Sequence, residues 1–340
     1  MAAPVKLGGF KVLKGVIWFS LISDGDSFGF PAAFCRRIAE EKINLPFFSC
    51  QPEDKRWSLN VAVSNADAPA LSRIVREFPG TEICNRAESI ILSIFPYRGD
   101  PEIVGLFLEA LGREGLEPLG IANSPAAVSA VLHNHALEKA NTGLFKTFQF
   151  SAYRTPQDWN LAQKGKESLY REVVASYQES KPKVYGIRYR DGQEMCRVKI
   201  GAGDLRRFAS LLKSLSGTGT YLSFLGTRLV PPEKGSNIIT LCFSRRQGTS
   251  SGDITRKFTS SFPVEILYPV AGLSMTGPHF GDRYGIASEL LTALEAKGVM
   301  LLGLNCSIAS IKAVVDSDKL ADAIEAIQSC FEVPALVRKD

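Results

Sequence analysis

Apolar positions along this chain switch between a spacing of two and a spacing of three to four, and the switches recur in one order four times. In the last quarter, Val264 to Ser274 is rich in β-forming residues and is followed by a loop, Thr276 to Tyr284. Ile286, Leu290, Leu291 and Leu294 then form a helical stripe, with Gly298 where a helix stop belongs. Val299 to Cys306 and the alternating Ile308 to Val315 predict two strands joined by a tight turn. Asp316, Ser317 and Asp318 offer capping oxygens to a second helix carrying Leu320, Ile324, Ile327 and Phe331, and Val333 to Val337 predicts a closing strand.

The other quarters read the same way. The first predicts strands over Val16–Ile22, Ile43–Cys50 and Trp57–Val63, a helix from Pro31, a helix Ala68–Phe78 and a short β segment Thr81–Asn85. The second predicts strands Ser89–Phe95, Pro118–Ala122 and Ala127–Leu132 with helices Ile103–Arg113 and Ala136–Ala140. The third is less regular, with strands near Met195–Ile200, Thr220–Thr227 and Ile238–Ser244 and helices Leu205–Leu215 and Asp253–Phe258. Residues from Gly105 to Leu132 align without a gap on Ser288 to Val315 at a constant offset of 183, with ten of 28 positions identical. Such self-similarity marks duplicated structural units.

The order βαββαβ predicts an α+β fold of four tandem ferredoxin-like units in two duplicated pairs, each an antiparallel sheet with helices on one face. The units are placed at 12–86, 87–150, 184–268 and 269–338, with 151–183 a charged linker containing a helix at Lys166–Glu179.

Composition adds constraints. The 340 residues are 45% hydrophobic and 22% charged, and no apolar run near the start approaches the length of a membrane helix, so a soluble, cytoplasmic protein is expected. Seven cysteines, odd in number and without a C-x-x-C pair, predict buried free thiols. Lys181 to Lys213 holds nine basic residues against three acids, but Arg188, Arg190, Arg197 and Lys199 alternate with apolar or small residues as a solvated strand face would. No aromatic platform accompanies them, so nucleic acid is not the expected partner. His133 and His135 stand two apart at a strand end with no third ligand nearby in sequence; no metal and no cofactor are expected. No P-loop, G-x-S-x-G or complete G-x-G-x-x-G occurs, and no nucleophile pairs with a base, so no catalytic residue is named.

The run Asp282 to Phe331 resembles the last ACT module in the tandem regulatory region of aspartokinases, and Lys42 to Phe78 is similar to the preceding module. The resemblance covers about 85% of the chain and implies four ACT modules with no room for the kinase domain. It therefore implies a non-catalytic regulatory protein that senses a free amino acid at an interface between modules. By position, the ligand loops are Asp24, Gly25, Asp26, Ser27, Phe28 and Gly29 in the first module and His279, Phe280, Gly281, Asp282 and Arg283 in the fourth. Asn123 and Ser124, with Asn305 and Ser307, take the edge positions. Loop N–H groups and a helix N-terminus suit the ligand's carboxylate, and acidic or amide side chains its ammonium. The alternatives are a scaffold subunit of an amino-acid biosynthetic enzyme with degenerate ligand sites and, further off, a nucleic-acid-binding protein. A homodimer and an intrachain pseudo-dimer fit the duplication equally.

Overall fold

The computed structural model describes residues 4–24, 29–53, 55–163, 181–229, 237–245, 252–278, 280, 283–307 and 310–339. In chain order the strands are β1 (Val5–Leu7), β2 (Gly9–Asp24), β3 (Phe47–Glu53), β4 (Arg56–Ser64), β5 (Thr81–Phe95), β6 (Gly120–Asn123), β7 (Val128–His133), β8 (Phe148–Phe150), β9 (Gly186–Ile200), β10 (Thr220–Leu229), β11 (Asn237–Arg245), β12 (Val264–Thr276), β13 (Leu301–Ser307), β14 (Ser310–Asp316) and β15 (Leu336–Arg338). The helices are α1 (Phe30–Glu40), α2 (Ala68–Arg76), α3 (Pro101–Arg113), α4 (Leu137–Thr147), α5 (Pro156–Gln163), α6 (Leu205–Lys213), α7 (Gly252–Thr259), α8 (Ile286–Ala296) and α9 (Leu320–Cys330).

The strands do not form four ferredoxin-like ACT sheets. They join into one closed antiparallel barrel of twelve strands, in the order β11-β10-β6-β7-β5-β2-β4-β3-β13-β14-β12-β9, closed by pairing of β9 with β11. Long strands, three of them longer than the sequence pattern indicates, cause the difference. β2 starts at Gly9, seven residues before the predicted start, because Phe10 and Val12 keep the alternation alive across Lys11 and Lys14. It pairs with β4 along one edge and with β5 along the other, with register breaks at Leu13/Val16 and Ser20/Leu21. β5 and β9 extend in the same way, and the expected unit boundaries at 86/87 and 268/269 fall inside β5 and the 13-residue β12. A bulged long strand bends and twists, so it can serve two neighbours and curl the sheet shut.

Two further seams complete the ring. β3 pairs with β13 from Phe47↔Ser307 to Cys50↔Leu304. β6 meets β10 through the single pair Ala122↔Gly226. Side chains reinforce that thin seam: Thr227 Oγ1 accepts the Ile121 N–H and Asn123 Oδ1 accepts the Leu225 N–H, each at 2.9 Å.

Alternate strand residues face opposite sides of the ring. Outward residues pack under helices in two separate cores, one beneath α1, α2, α8 and α9 and the other beneath α3, α4, α6 and α7. Inward residues form two small apolar clusters, one around Trp18 and one around Phe224. Two glycines paired by the 183-residue repeat admit these rings: a Cβ on Gly120 would lie 2.4 Å from Trp18, and one on Gly303 2.9 Å from Phe224. The rest of the interior is polar, with Ser20, Ser49, Gln51, Asn60, Asn123, Thr240, Asn305 and Lys312 all buried.

Of the expected linker, the predicted helix Lys166–Glu179 lies outside the described residues, while α5 brings Trp159 into a stack on Phe10 at 5.0 Å. Among the described residues no helix is long and apolar enough to cross a membrane. None of the seven cysteines is in a disulfide, and five are buried.

Candidate functional site

A cleft of about 50 Å³ lies on the outer side of the β3–β13 seam, between the C-terminal part of α1 and the first turn of α8. Its floor includes Cys35, Ile38, Cys306 and Ile311; its rim carries Asn44, Arg283, Ser288 and Ser307. Burial pushes both thiols above the ordinary cysteine value, so at neutral pH the floor is uncharged. Gly285 caps α8 in the left-handed region at φ 87° and brings no side-chain acceptor. The first-turn N–H groups of a helix have no intrahelical partner and sit at the positive end of the helix dipole. Arg283 stands just before them, its Nη2 held at 2.7 Å by Glu289 Oε1. The arrangement can receive a carboxylate at the helix end and hydrogen-bond a polar group at Asn44 and Ser307.

The helices α1 and α8 run antiparallel about a pseudo-two-fold axis. Arg36 Nη2 donates to Thr292 Oγ1 at 3.3 Å across it, and Ser49 pairs with Asn305 on the seam below; both pairs are 256 residues apart. The same offset relates Gly29 to Gly285 and Ala39 to Glu295. The two ends of the helix pair differ. At the N-terminus of α1, the Glu295 carboxylate lies where a Cβ on Gly29 would be, 2.2 Å from Oε1. At the N-terminus of α8 the matching residue is Ala39, whose methyl lies 3.4 Å from a Cβ built on Gly285, and the cleft stays open.

Only some of the sequence-predicted ligand residues meet here. Phe280, Arg283 and Ser307 line the cleft. Asp24 instead pairs with Arg56 at 2.7 Å on the surface, and Gly29 serves the filled end. Ser124 closes a turn on the Ala127 N–H at 3.0 Å. Asn123 and Asn305 point into the ring and grip one residue from two sides, Asn123 accepting the Leu225 N–H and Asn305 Nδ2 donating to the Leu225 carbonyl at 2.7 Å. They satisfy buried backbone groups that a barrel with a one-pair seam leaves over. Gly25, Asp26, Ser27, Phe28, His279, Gly281 and Asp282 lie outside the described residues. Sequence reading missed Asn44 and Ser288, whose neighbours in the chain carry no motif.

No protein-family model matches this chain, and no curated protein does. Among solved structures, the aspartate kinase from Synechocystis matches over 97% of this chain and 58% of its own, with a TM-score of 0.74 and 16% identity. The two share a fold. The regulatory subunit of aspartate kinase from Thermus thermophilus, in ligand-free form, matches over 42% of this chain with a TM-score of 0.38 and 19% identity. The chain thus spans a little over half the length of the Synechocystis enzyme.

This likeness overturns two expectations. A regulatory ACT tandem standing without a kinase domain is not supported, because the structure matching nearly the whole chain is that of a full aspartate kinase. The expectation of a protein without catalysis falls with it, since that neighbour is an enzyme.

The basic stretch from Lys181 to Lys213 is not one solvated face. Arg197 is largely buried beside Glu265, Lys213 pairs with Glu109 at 2.7 Å, Arg207 lies 4.8 Å from the Phe262 ring, and Arg188 and Arg190 border a cavity. His133 and His135 stack at 5.5 Å on an exposed turn, and among the described residues no group of three or more His, Cys, Asp or Glu could hold a metal.

Proposed function

We propose that this chain binds a free amino acid in the cleft between α1 and α8, and that occupancy biases how these two helices pack across the β3–β13 seam in a cytoplasmic protein. The observation that carries the reading is the broken pseudo-symmetry. One helix N-terminus on this seam has the Glu295 carboxylate against it, while among the described residues the other has Ala39 in that place, with Arg283 and its partner Glu289 beside an open cleft. The fold shared with an aspartate kinase favours an amino acid over other carboxylates. Binding between two helices that lie across a strand seam suits a regulatory ligand, which acts only by favouring one arrangement over another.

The test is a thermal-melt screen against the twenty amino acids at millimolar concentration, repeated with Ala39→Glu. One amino acid should raise the melting temperature by mass action on the folded state, and Ala39→Glu, which places a carboxylate at the N-terminus of α8, should abolish the rise without lowering the melting temperature of the free protein. A screen flat for all twenty, or a response unchanged in Ala39→Glu, would sink the reading. Phosphoryl transfer from ATP to aspartate is assayed on the same preparation, because the neighbour in fold is an aspartate kinase.

A further inference from the structure

A second cavity, of about 250 Å³, lies on the inner side of the ring between β9, β10, β12 and β14. It holds an unusual concentration of positive charge. Lys312 on β14 is only 4% exposed; its Nζ donates to the Ser223 carbonyl at 2.5 Å and lies 3.4 Å from the Tyr97 hydroxyl. The Arg190 guanidinium sits 3.8 Å from the centre of the Tyr221 ring, and Arg188 and Lys339 also line the cavity. Among the described residues that line it there is no Asp or Glu.

The fold does not need a lysine at this place. In the 183-residue repeat Lys312 aligns with Ser129, an inward position on β7 that is satisfied by a 2.7 Å hydrogen bond to Ser93. Burying the Lys312 ammonium against a carbonyl and a hydroxyl, with the Arg190 charge close by, costs several kcal/mol. Burial first, and the charge of Arg190 second, push the Lys312 ammonium down to about 7. An anion in the cavity would supply the opposing charge, and an arginine beside a lysine is a common pairing for oxyanions, the planar fork giving direction and the ammonium a point charge.

We propose that this inner cavity binds a small doubly charged oxyanion, a phosphate monoester or a dicarboxylate, with Arg190 and Lys312 as its charged contacts. The ligand differs from that of the α1–α8 cleft: a neutral zwitterion brings an ammonium, and among the described lining residues no carboxylate stands to receive it. The wall residues Ser223, Ser274 and Gln193 add hydrogen-bonding groups, and the Tyr221 ring holds Arg190 in place by a cation–π contact.

The test is titration of the protein with inorganic phosphate and, separately, with succinate at constant ionic strength, read by calorimetry and by thermal shift. A saturable response to at least one probe is expected, and which probe binds tells the phosphate from the dicarboxylate source. Arg190→Gln and Lys312→Met should each weaken binding at least tenfold, while Ala39→Glu leaves it unchanged. Lack of a saturable response to either probe, or equal affinity in Arg190→Gln and Lys312→Met compared with the parent, overturns the proposal. Because Arg190 is only partly buried, its variant keeps the test valid if Lys312→Met fails to fold.

Discussion

Replacing Lys312 by Met keeps the length and most of the volume of the side chain while removing a buried cation, and its effect on stability should depend on pH. A free lysine loses its proton near 10.5; in the folded protein the value is about 7. Between these two values the unfolded chain binds more protons than the folded one, so this group makes stability rise with pH across that window. Below about 7 both states carry the proton and the contribution is at its minimum. The full gap corresponds to about 5 kcal/mol, of which about 2 kcal/mol is reached between pH 6 and pH 8.5. The buried thiols of Cys35 and Cys50, held above the ordinary cysteine value, work in the opposite direction as unfolded thiols ionise toward pH 9 and above. They are present in both proteins and cancel in the difference. Urea unfolding of parent and Lys312→Met at pH 6, 7 and 8.5, at fixed ionic strength and without phosphate or dicarboxylate, measures that difference. Lys312→Met should be the more stable of the two at pH 6, and its advantage should shrink by about 2 kcal/mol by pH 8.5. Parallel pH profiles for the two proteins would refute the argument that Lys312 is held as a disfavoured cation.

Other substitutions separate packing from binding. Gly120→Ala drives a methyl into the fully buried Trp18 ring and should cost about 1–3 kcal/mol in unfolding experiments. Gly29→Ala meets only the tip of the exposed, flexible Glu295 side chain at an ordinary φ of −83° and should change stability by no more than about 0.5 kcal/mol. Asn305→Ala strips the Leu225 carbonyl of its partner and should cost about 1–3 kcal/mol, with the amino-acid response of the α1–α8 cleft preserved. Loss of that response in a well-folded Asn305→Ala would return Asn305 to the ligand site.

Local elements were legible because their causes are local. The stripe Ile286, Leu290, Leu291 and Leu294 becomes α8, and the repeat-related stops Gly115 and Gly298 both take left-handed φ values, 69° and 64°. The nine predicted basic positions could be counted but not sorted, since only the fold decides that Arg197 meets Glu265 while Arg190 meets Tyr221. Arg283 and Ser307, named from the sequence, line the α1–α8 cleft. Asn123 and Asn305 turn to Leu225 inside the ring, a contact the sequence could not show, because an asparagine near a strand end reads the same whether it faces a ligand or a backbone group from a distant strand.

What the sequence by itself determined was most of the helices and strands in their order and the 183-residue internal repeat. These follow from residue spacing and from backbone preferences a few residues wide. Only the tertiary structure decided that the strands close into a single twelve-strand barrel, that Ala39 leaves open one end of a helix pair whose other end is covered by Glu295, and that Lys312 faces an inner cavity. Each of these depends on which strand edges meet across long stretches of chain. The period-two pattern specifies that a residue lies on one face or the other; it does not specify what that face will touch.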